Sequence, residues 1–518
     1  MPADQKARKF RAFSFFAEFS PLAEEILKKI MFTKGICMEI NKLSMISDFY
    51  EFLMCRGYLN SGKSTRYAYF DLFFRRVPDK GGFAVAAGLE QICEYIDNLH
   101  FESDDIDFLR ERGIDDEDFL NYLANFRFSG DIFAVPEGTV VFPNEPILTV
   151  RAPITEAQLI ETALLLIINH QSLIATKASR MSYAAGTKPI LEMGARRAHS
   201  PDAAVYGARA AYIGGSHATS CTLAAKRYNI PHVGTMAHSW VQMFDCEYEA
   251  FCAYLRQNPY NAILLVDTYD TLGSGIPAAS EAIRDILLPR GITKAGVRLD
   301  SGDIEYLSKK ARAMLDMSGL RECNITVSNS LDEYKIKSLC ASGAPIDSYG
   351  VGESLICAKS EPVFGGVYKL AAIEEGGVCI PKIKLSESVG KISVPGAKKV
   401  LRYYNSDGKA IADEILLSEE TVPYGAHTIF DPEATWKTKT LVNYSVRELL
   451  VPIYINGERI YELPDVSSIK SYCEKEKSSL WSEIRRLESP HIYYVDLSER
   501  LWTLKRRMTG QRRSEFFI

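Results

Sequence analysis

Between residues 156 and 375, short apolar runs alternate with longer amphipathic stretches. The runs read "PILEMGAR", "AYIGG", "HVGTMA", "AILLVDT", "AGVRLDS", "NITVSNS" and "SYGVGE". Each is too short for a stable helix and suits a buried strand. Between them, "SPDAAVYGARAA", "ATSCTLAAKRY", "WVQMFDCEYEAFCAYLRQ", "PAASEAIRDILLP", "DIEYLSKKARAMLDM" and "LDEYKIKSLCAS" carry helical spacing. Ser200 followed by Pro201 is the clearest helix start: a capping hydroxyl, then a φ preset for the first turn. This alternation predicts parallel βα units in an α/β fold, and seven runs favour a barrel over an open sheet.

The flanks have a different rhythm. From 45 to 155, "SDFYEFLMCRGYL" reads as a helix and "YAYFDLFFRR" as an aromatic strand. "FAVPEGTVVFPNEPILTVRAPI" follows with Pro and Gly punctuation between β-branched runs. The tail, 376 to 518, is again mixed and ends in "SERLWTLKRRM", an amphipathic helix. The expected division is an extension over 1–44, an α+β domain over 45–155, the α/β unit over 156–375, and a C-terminal region over 376–518 packing on the N-terminal domain. The extension is basic and aromatic but lacks the apolar core of a secretory signal, and it is assigned no role.

Composition narrows the class. A formal charge of −5 leaves no electrostatic footprint for nucleic acid, and no apolar stretch is long enough to span a bilayer. The 11 cysteines show no CxxC pair, so neither a disulfide framework nor a zinc site is indicated, and a reducing cytoplasm fits.

In a parallel βα barrel the strands end on one face, and that face carries the chemistry. In order, the runs end at Arg196 with Arg197, at Gly214 to His217, at His238, at Asp267 with Asp270, at Arg298 with Asp300 and Asp303, at Ser328-Asn329-Ser330, and at Gly350 with Gly352. Singly, most have plain structural explanations. Asp303 suits a helix start, Asp267 and Asp300 suit helix caps, the glycines suit turns, and a lone histidine is more often packing than chemistry. Together they offer cations for phosphate, carboxylates for a divalent metal, and bare backbone amides for more phosphate. The expected substrate class is a phosphorylated sugar.

"LEMGARRAHSPDAA", "GTMAHSW", "VDTYDT", "VRLDSGD" and "YGVGESL" resemble the signature blocks of the nicotinate phosphoribosyltransferase family, as do "SDFYEFLM", "FDLFFRR" and "KISVPGAKKVLR". The resemblance runs in order from about residue 45 to the C-terminus. It implies the irregular TIM-like barrel of the type II phosphoribosyltransferases, with an α+β domain built from both terminal segments. It implies transfer of phosphoribosyl from phosphoribosyl pyrophosphate to nicotinate with magnesium, and ATP hydrolysis through a phosphohistidine at His238. By the same resemblance, Arg196 lies beside the phosphoribosyl and base site, and Arg298 meets the pyridine carboxylate. Asp267 and Asp300 hold ribose hydroxyls or magnesium. Ser328, Asn329, Gly350 and Gly352 cradle the 5′-phosphate, and Tyr50 stacks on the ring from a neighbouring subunit, which implies a homodimer with a shared site.

The nearest alternative is the nicotinamide-using relative, in which an Asp in the block matching "GGSHATS" accepts from the amide. His217 stands there instead, which favours the acid. An aldolase-type barrel would need a Schiff-base lysine at a strand end, and none of these ends carries one. A binding protein without activity should have lost some of these groups, and the set is complete.

Overall fold

The computed structural model describes residues 43–515, so nearly all of the N-terminal extension lies outside the described residues. Six parallel strands organise the middle of the chain: β1 Ile190–Glu192, β2 Ala218–Thr219, β3 Ile263–Leu265, β4 Gly296–Leu299, β5 Asn324–Val327 and β6 Ser348–Val351. They pair in the order β2-β1-β6-β5-β4-β3. Register aligns their ends: Glu192 is opposite Val351 and Thr219, Val327 is opposite Leu299, and Leu265 is opposite Arg298. Whatever follows each strand therefore emerges at one edge.

Helices follow most strands where the amphipathic stretches lie. Ser200 accepts from the Ala203 amide with Pro201 in the first turn, as its sequence predicts. Asp303 caps Ile304–Met317 through the Tyr306 amide, and Asp270 accepts from the Leu272 and Gly273 amides. The long helix Glu161–Ala185 crosses Pro201–Gly214 at small residues. A Cβ on Gly214 would lie 2.1 Å from the Ala175 carbonyl oxygen, so only glycine permits that approach.

Two of the expected strands differ. "AYIGG" is the last turn of helix Pro201–Gly214, and the strand is the following Ala218–Thr219. A five-residue apolar run has no periodicity to tell helix from strand, and Gly214 is there for helix packing. "HVGTMA" is extended but makes a single ladder bridge, His232 to Thr219. "WVQMFDCEYEAFCAYLRQ" is two helices, His238–Gln242 and Glu247–Gln257.

Segments distant in sequence share one antiparallel sheet of seven strands, including Tyr67–Phe74, Leu148–Pro153, Gly366–Glu375 and Val451–Ile455. Arg151 ties it across strands, donating to Glu374 at 2.7 Å and Asp131 at 2.8 Å. A four-stranded sheet contains Lys398–Tyr404, Ala410–Leu417 and Val495–Leu497, and buries Arg402 against Asp413 at 2.6 Å. Residues 43–46 and 94–126 form a separate compact unit containing helices Ser103–Glu111 and Glu117–Ala124.

Candidate active site

The C-terminal edge of the parallel strands gathers a hydrogen-bonded cluster. Arg298, on β4, donates through Nε to Ser328 Oγ at 2.9 Å, through Nη1 to Thr235 Oγ1 at 2.9 Å, and through Nη2 to Asp300 Oδ1 at 2.8 Å. Ser328 also donates to Asp300 Oδ1. Asp267, two residues past β3, accepts on Oδ2 from the Asp300 amide and from Ser301 Oγ, both at 2.7 Å. Three adjacent strand ends are thereby locked, with the planar guanidinium fork as their hub. Burial raises the Asp300 pKa, but its bond from Ser328 and the Arg298 charge outweigh this and hold it below the ordinary carboxylate value.

His238 opens a five-residue helix, with its Nδ1 3.2 Å from Thr268 Oγ1 and its Nε2 3.8 Å from Asp300 Oδ2. Its side chain is 40% exposed, so the ring is held at one nitrogen and open to solvent. A packing histidine would be buried; this one is presented.

Small residues make up the rest of the edge. Gly350 is buried within β6, and a Cβ there would come within 2.7 Å of Met193 Sδ, so the Met193 side chain would have to shift. Asn329 and Ser330 both take positive φ, 98° and 49°, a costly conformation for residues other than glycine. Gly352 precedes the short helix Glu353–Ile356.

The remaining expected residues are placed as follows. Arg196 is exposed in the 3₁₀ turn Ala195–Arg197 that leaves β1 at the same edge. His217 precedes β2: its amide bonds the Ile190 carbonyl at the start of β1, so it stands at the opposite edge from the cluster. Its pKa is lowered by burial and by Lys470. The residue that leaves β2 on the cluster's edge is Ser220, whose amide donates to the Glu192 carbonyl. Tyr50 lies on the helix Phe49–Asn60, where Phe49, Tyr50, Leu53 and Met54 are 46%, 43%, 50% and 38% exposed. Thr235, Thr268 and Ser301 complete the cluster and were not singled out by sequence, because a lone hydroxyl carries no titratable or spacing signal.

Among the described residues, no three His, Cys, Asp or Glu side chains converge as a metal site. Asp267 Oδ1, however, is buried without a hydrogen-bond partner. Two carboxylates are too few to cage a cation but enough for one that retains water and phosphate oxygens. No helix among the described residues is long and apolar enough to cross a membrane.

A mixed α/β fold with arginine, carboxylate, histidine and bare backbone at parallel strand ends is the arrangement of an enzyme acting on phosphorylated substrates. Comparison with known proteins narrows this. The description "Nicotinate phosphoribosyltransferase (NAPRTase) family" matches residues 189–380, its N-terminal domain 45–169, and its C-terminal domain 397–505. The chain is 44% identical over 467 residues to a nicotinate phosphoribosyltransferase of Bacillus subtilis, covering 90% of this chain and 95% of that protein. The human nicotinic acid phosphoribosyltransferase crystal structure superposes with a TM-score of 0.77 at 30% identity, over 89% of this chain and 99% of that one. A nicotinate-nucleotide pyrophosphorylase from Pyrococcus furiosus gives a TM-score of 0.64 at 25% identity, over 85% and 97% of the two chains. The chain belongs to the nicotinate phosphoribosyltransferase family.

Proposed function

We propose that the strand-end cluster transfers phosphoribosyl from phosphoribosyl pyrophosphate to the ring nitrogen of nicotinate, giving nicotinate mononucleotide and pyrophosphate for NAD salvage. The observation that carries this is Arg298 held between Thr235, Asp300 and Ser328, with His238 beside Asp300. Nicotinate's nitrogen is already a free nucleophile and needs no base. What the site must supply is position and stabilisation of the departing pyrophosphate charge. Arg298 suits a carboxylate or phosphate through its fork, and exposed Arg196 adds a second cation at the same edge. The turn Ser328-Asn329-Ser330 and the small residues Gly350 and Gly352 on the neighbouring strand end are the proposed cradle for the 5′-phosphate.

Asp267 and Asp300 would hold magnesium, with Oδ1 of Asp267 the unpartnered donor. When bound, such an ion neutralises charge on the pyrophosphate oxygens. His238 is the proposed phosphoryl acceptor from ATP. In the tautomer whose Nδ1–H donates to Thr268, Nε2 carries the free lone pair. A P–N bond forms at that nitrogen as the bond to the ADP oxygen breaks.

The parallel sheet is read as the wall of an irregular TIM-like barrel. The extended segment 232–237 supports this, since it bridges β2 through His232 on one side and receives Asn261 Nδ2 on Gly234 O at 2.7 Å, just before β3, on the other. A homodimer with a shared site is supported by the exposed apolar stripe at Phe49, Tyr50, Leu53 and Met54, with Tyr50 stacking on the neighbour's pyridine ring. The free cysteines among the described residues suit a reducing compartment, and the proposed location is the cytoplasm. Supplying phosphoribosyl pyrophosphate with nicotinate or with nicotinamide, and detecting mononucleotide, tests the reading. Preference for the amide, or no product from either, overturns it.

A further inference from the structure

A cavity of about 290 Å³ lies away from the strand-end cluster. It is lined at one side by Ser182, Tyr183 and Gly186, where the long helix ends just before β1 begins. Lys477, also in its wall, donates from Nζ to the Gly214 carbonyl at 2.9 Å. The cavity therefore sits at the N-terminal edge of the parallel strands. Strands of three to four residues separate the two edges by on the order of 10 Å.

Its charges are unequal. Arg180 is paired with Glu333 at 2.8 Å and Lys477 with Glu474 at 2.6 Å. Arg485 has no such partner: its Nε is buried with no hydrogen bond among the described residues. Arg486 adds a second guanidinium to the lining, with Nε bonded to the Glu483 carbonyl. With Nε closed off, the terminal amino groups of Arg485 are the ones an oxyanion in the cavity would meet. The space is too large for a bare ion, and the Tyr183 ring, 44% exposed, offers a face for stacking.

We propose that this cavity binds a phosphate monoester bearing a flat ring, of the mononucleotide class, with its phosphate on Arg485 and Arg486 and its ring against Tyr183. Two adjacent guanidinium groups and the Ser182 hydroxyl provide more donors than a carboxylate can use. The site goes beyond the transferase reading, because none of its residues belongs to the strand-end cluster.

Titration calorimetry on the full chain with AMP, inorganic phosphate and adenosine tests this. AMP is expected to bind more tightly than phosphate, and adenosine to give no binding. Arg485→Ala should weaken AMP about tenfold or more, and Arg298→Ala by less than about twofold. Arg485→Lys, which keeps charge and loses the fork, should fall between wild type and Arg485→Ala. Arg485→Ala should unfold no earlier than wild type on heating, since it removes an unpaired buried donor. The proposal fails if wild type does not bind AMP, if Arg485→Ala binds it as wild type does, or if Arg298→Ala abolishes binding.

Discussion

Arg298 Nη2 donates to Asp300 Oδ1 across 2.8 Å, although the two residues are separated by only one position on the same strand end. The bond folds the arginine back over its own strand, so that Nε and Nη1 can reach Ser328 on the next strand end and Thr235 on the extended segment. Asp300→Asn leaves one oxygen but removes the charge that orients the fork. Product formation from nicotinate and phosphoribosyl pyrophosphate should fall about a hundredfold or more, as for loss of one preorganised electrostatic group. A variant with unchanged kcat/KM would remove Asp300 from the mechanism.

His238→Ala separates ATP use from transfer. A phosphoryl group on the ring would bring one to three new charge-assisted hydrogen bonds to the site, so ATP should raise wild-type product formation about tenfold. The variant should retain a weak rate that ATP does not change, because Arg298, Asp267 and Asp300 are untouched. If ATP accelerates the variant as fully as wild type, the phosphoryl acceptor lies elsewhere.

Much of this edge was legible because of a geometric rule: in parallel strands, the residue after each apolar run emerges on one face. Asp267, Arg298, Asp300 and Ser328 follow that rule directly. Asp303 follows the competing rule that an acidic residue starts a helix, and it caps Ile304–Met317. Asp270 caps as well, whereas Asp267 and Asp300, which also suit caps by sequence, bond into the cluster. His217 stands at the other edge because "AYIGG", residues 211–215, is helical and the strand is Ala218–Thr219, which puts the histidine just before its start. Nothing local in five apolar residues reveals this; the cause is Gly214 packing on Ala175, far away in sequence. Thr235 and Thr268 were illegible for a different reason, since their role is to hold Arg298 and His238, and that exists only after folding.

Gly275 couples a helix to the site. It ends the turn Thr271–Gly275, and a Cβ there would lie 1.9 Å from the carbonyl oxygen of Val266, the residue before Asp267. Backbone must move to admit it, because no side chain at the contact can swing away. Gly275→Ala should cost about 2 kcal/mol of stability and displace the Asp267 carboxylate from the Asp300 amide. Denaturant unfolding measures the first effect, and lowered activity at a temperature where the variant remains folded measures the second. Wild-type stability would mean that Val266 relaxes freely.

Glu51 sets a pH dependence outside the site. Burial raises its pKa to about 7, with Thr162 opposing the shift and Glu161 adding to it. Thr162 Oγ1 donates to Glu51 Oε1 at 2.6 Å. The unfolded carboxyl titrates near 4.3, so between these values the native state holds a proton that the unfolded state has released. Stability from this group is complete below the unfolded pKa, falls as pH rises to about 7, and then levels. Gln carries no proton to lose and keeps an acceptor for Thr162. Glu51→Gln should therefore match wild type at about pH 5 and exceed it by about 1 kcal/mol or more at about pH 8. Parallel urea titrations at the two pH values measure the difference. An equal gap at both would show that the Glu51 charge has no part in the pH dependence.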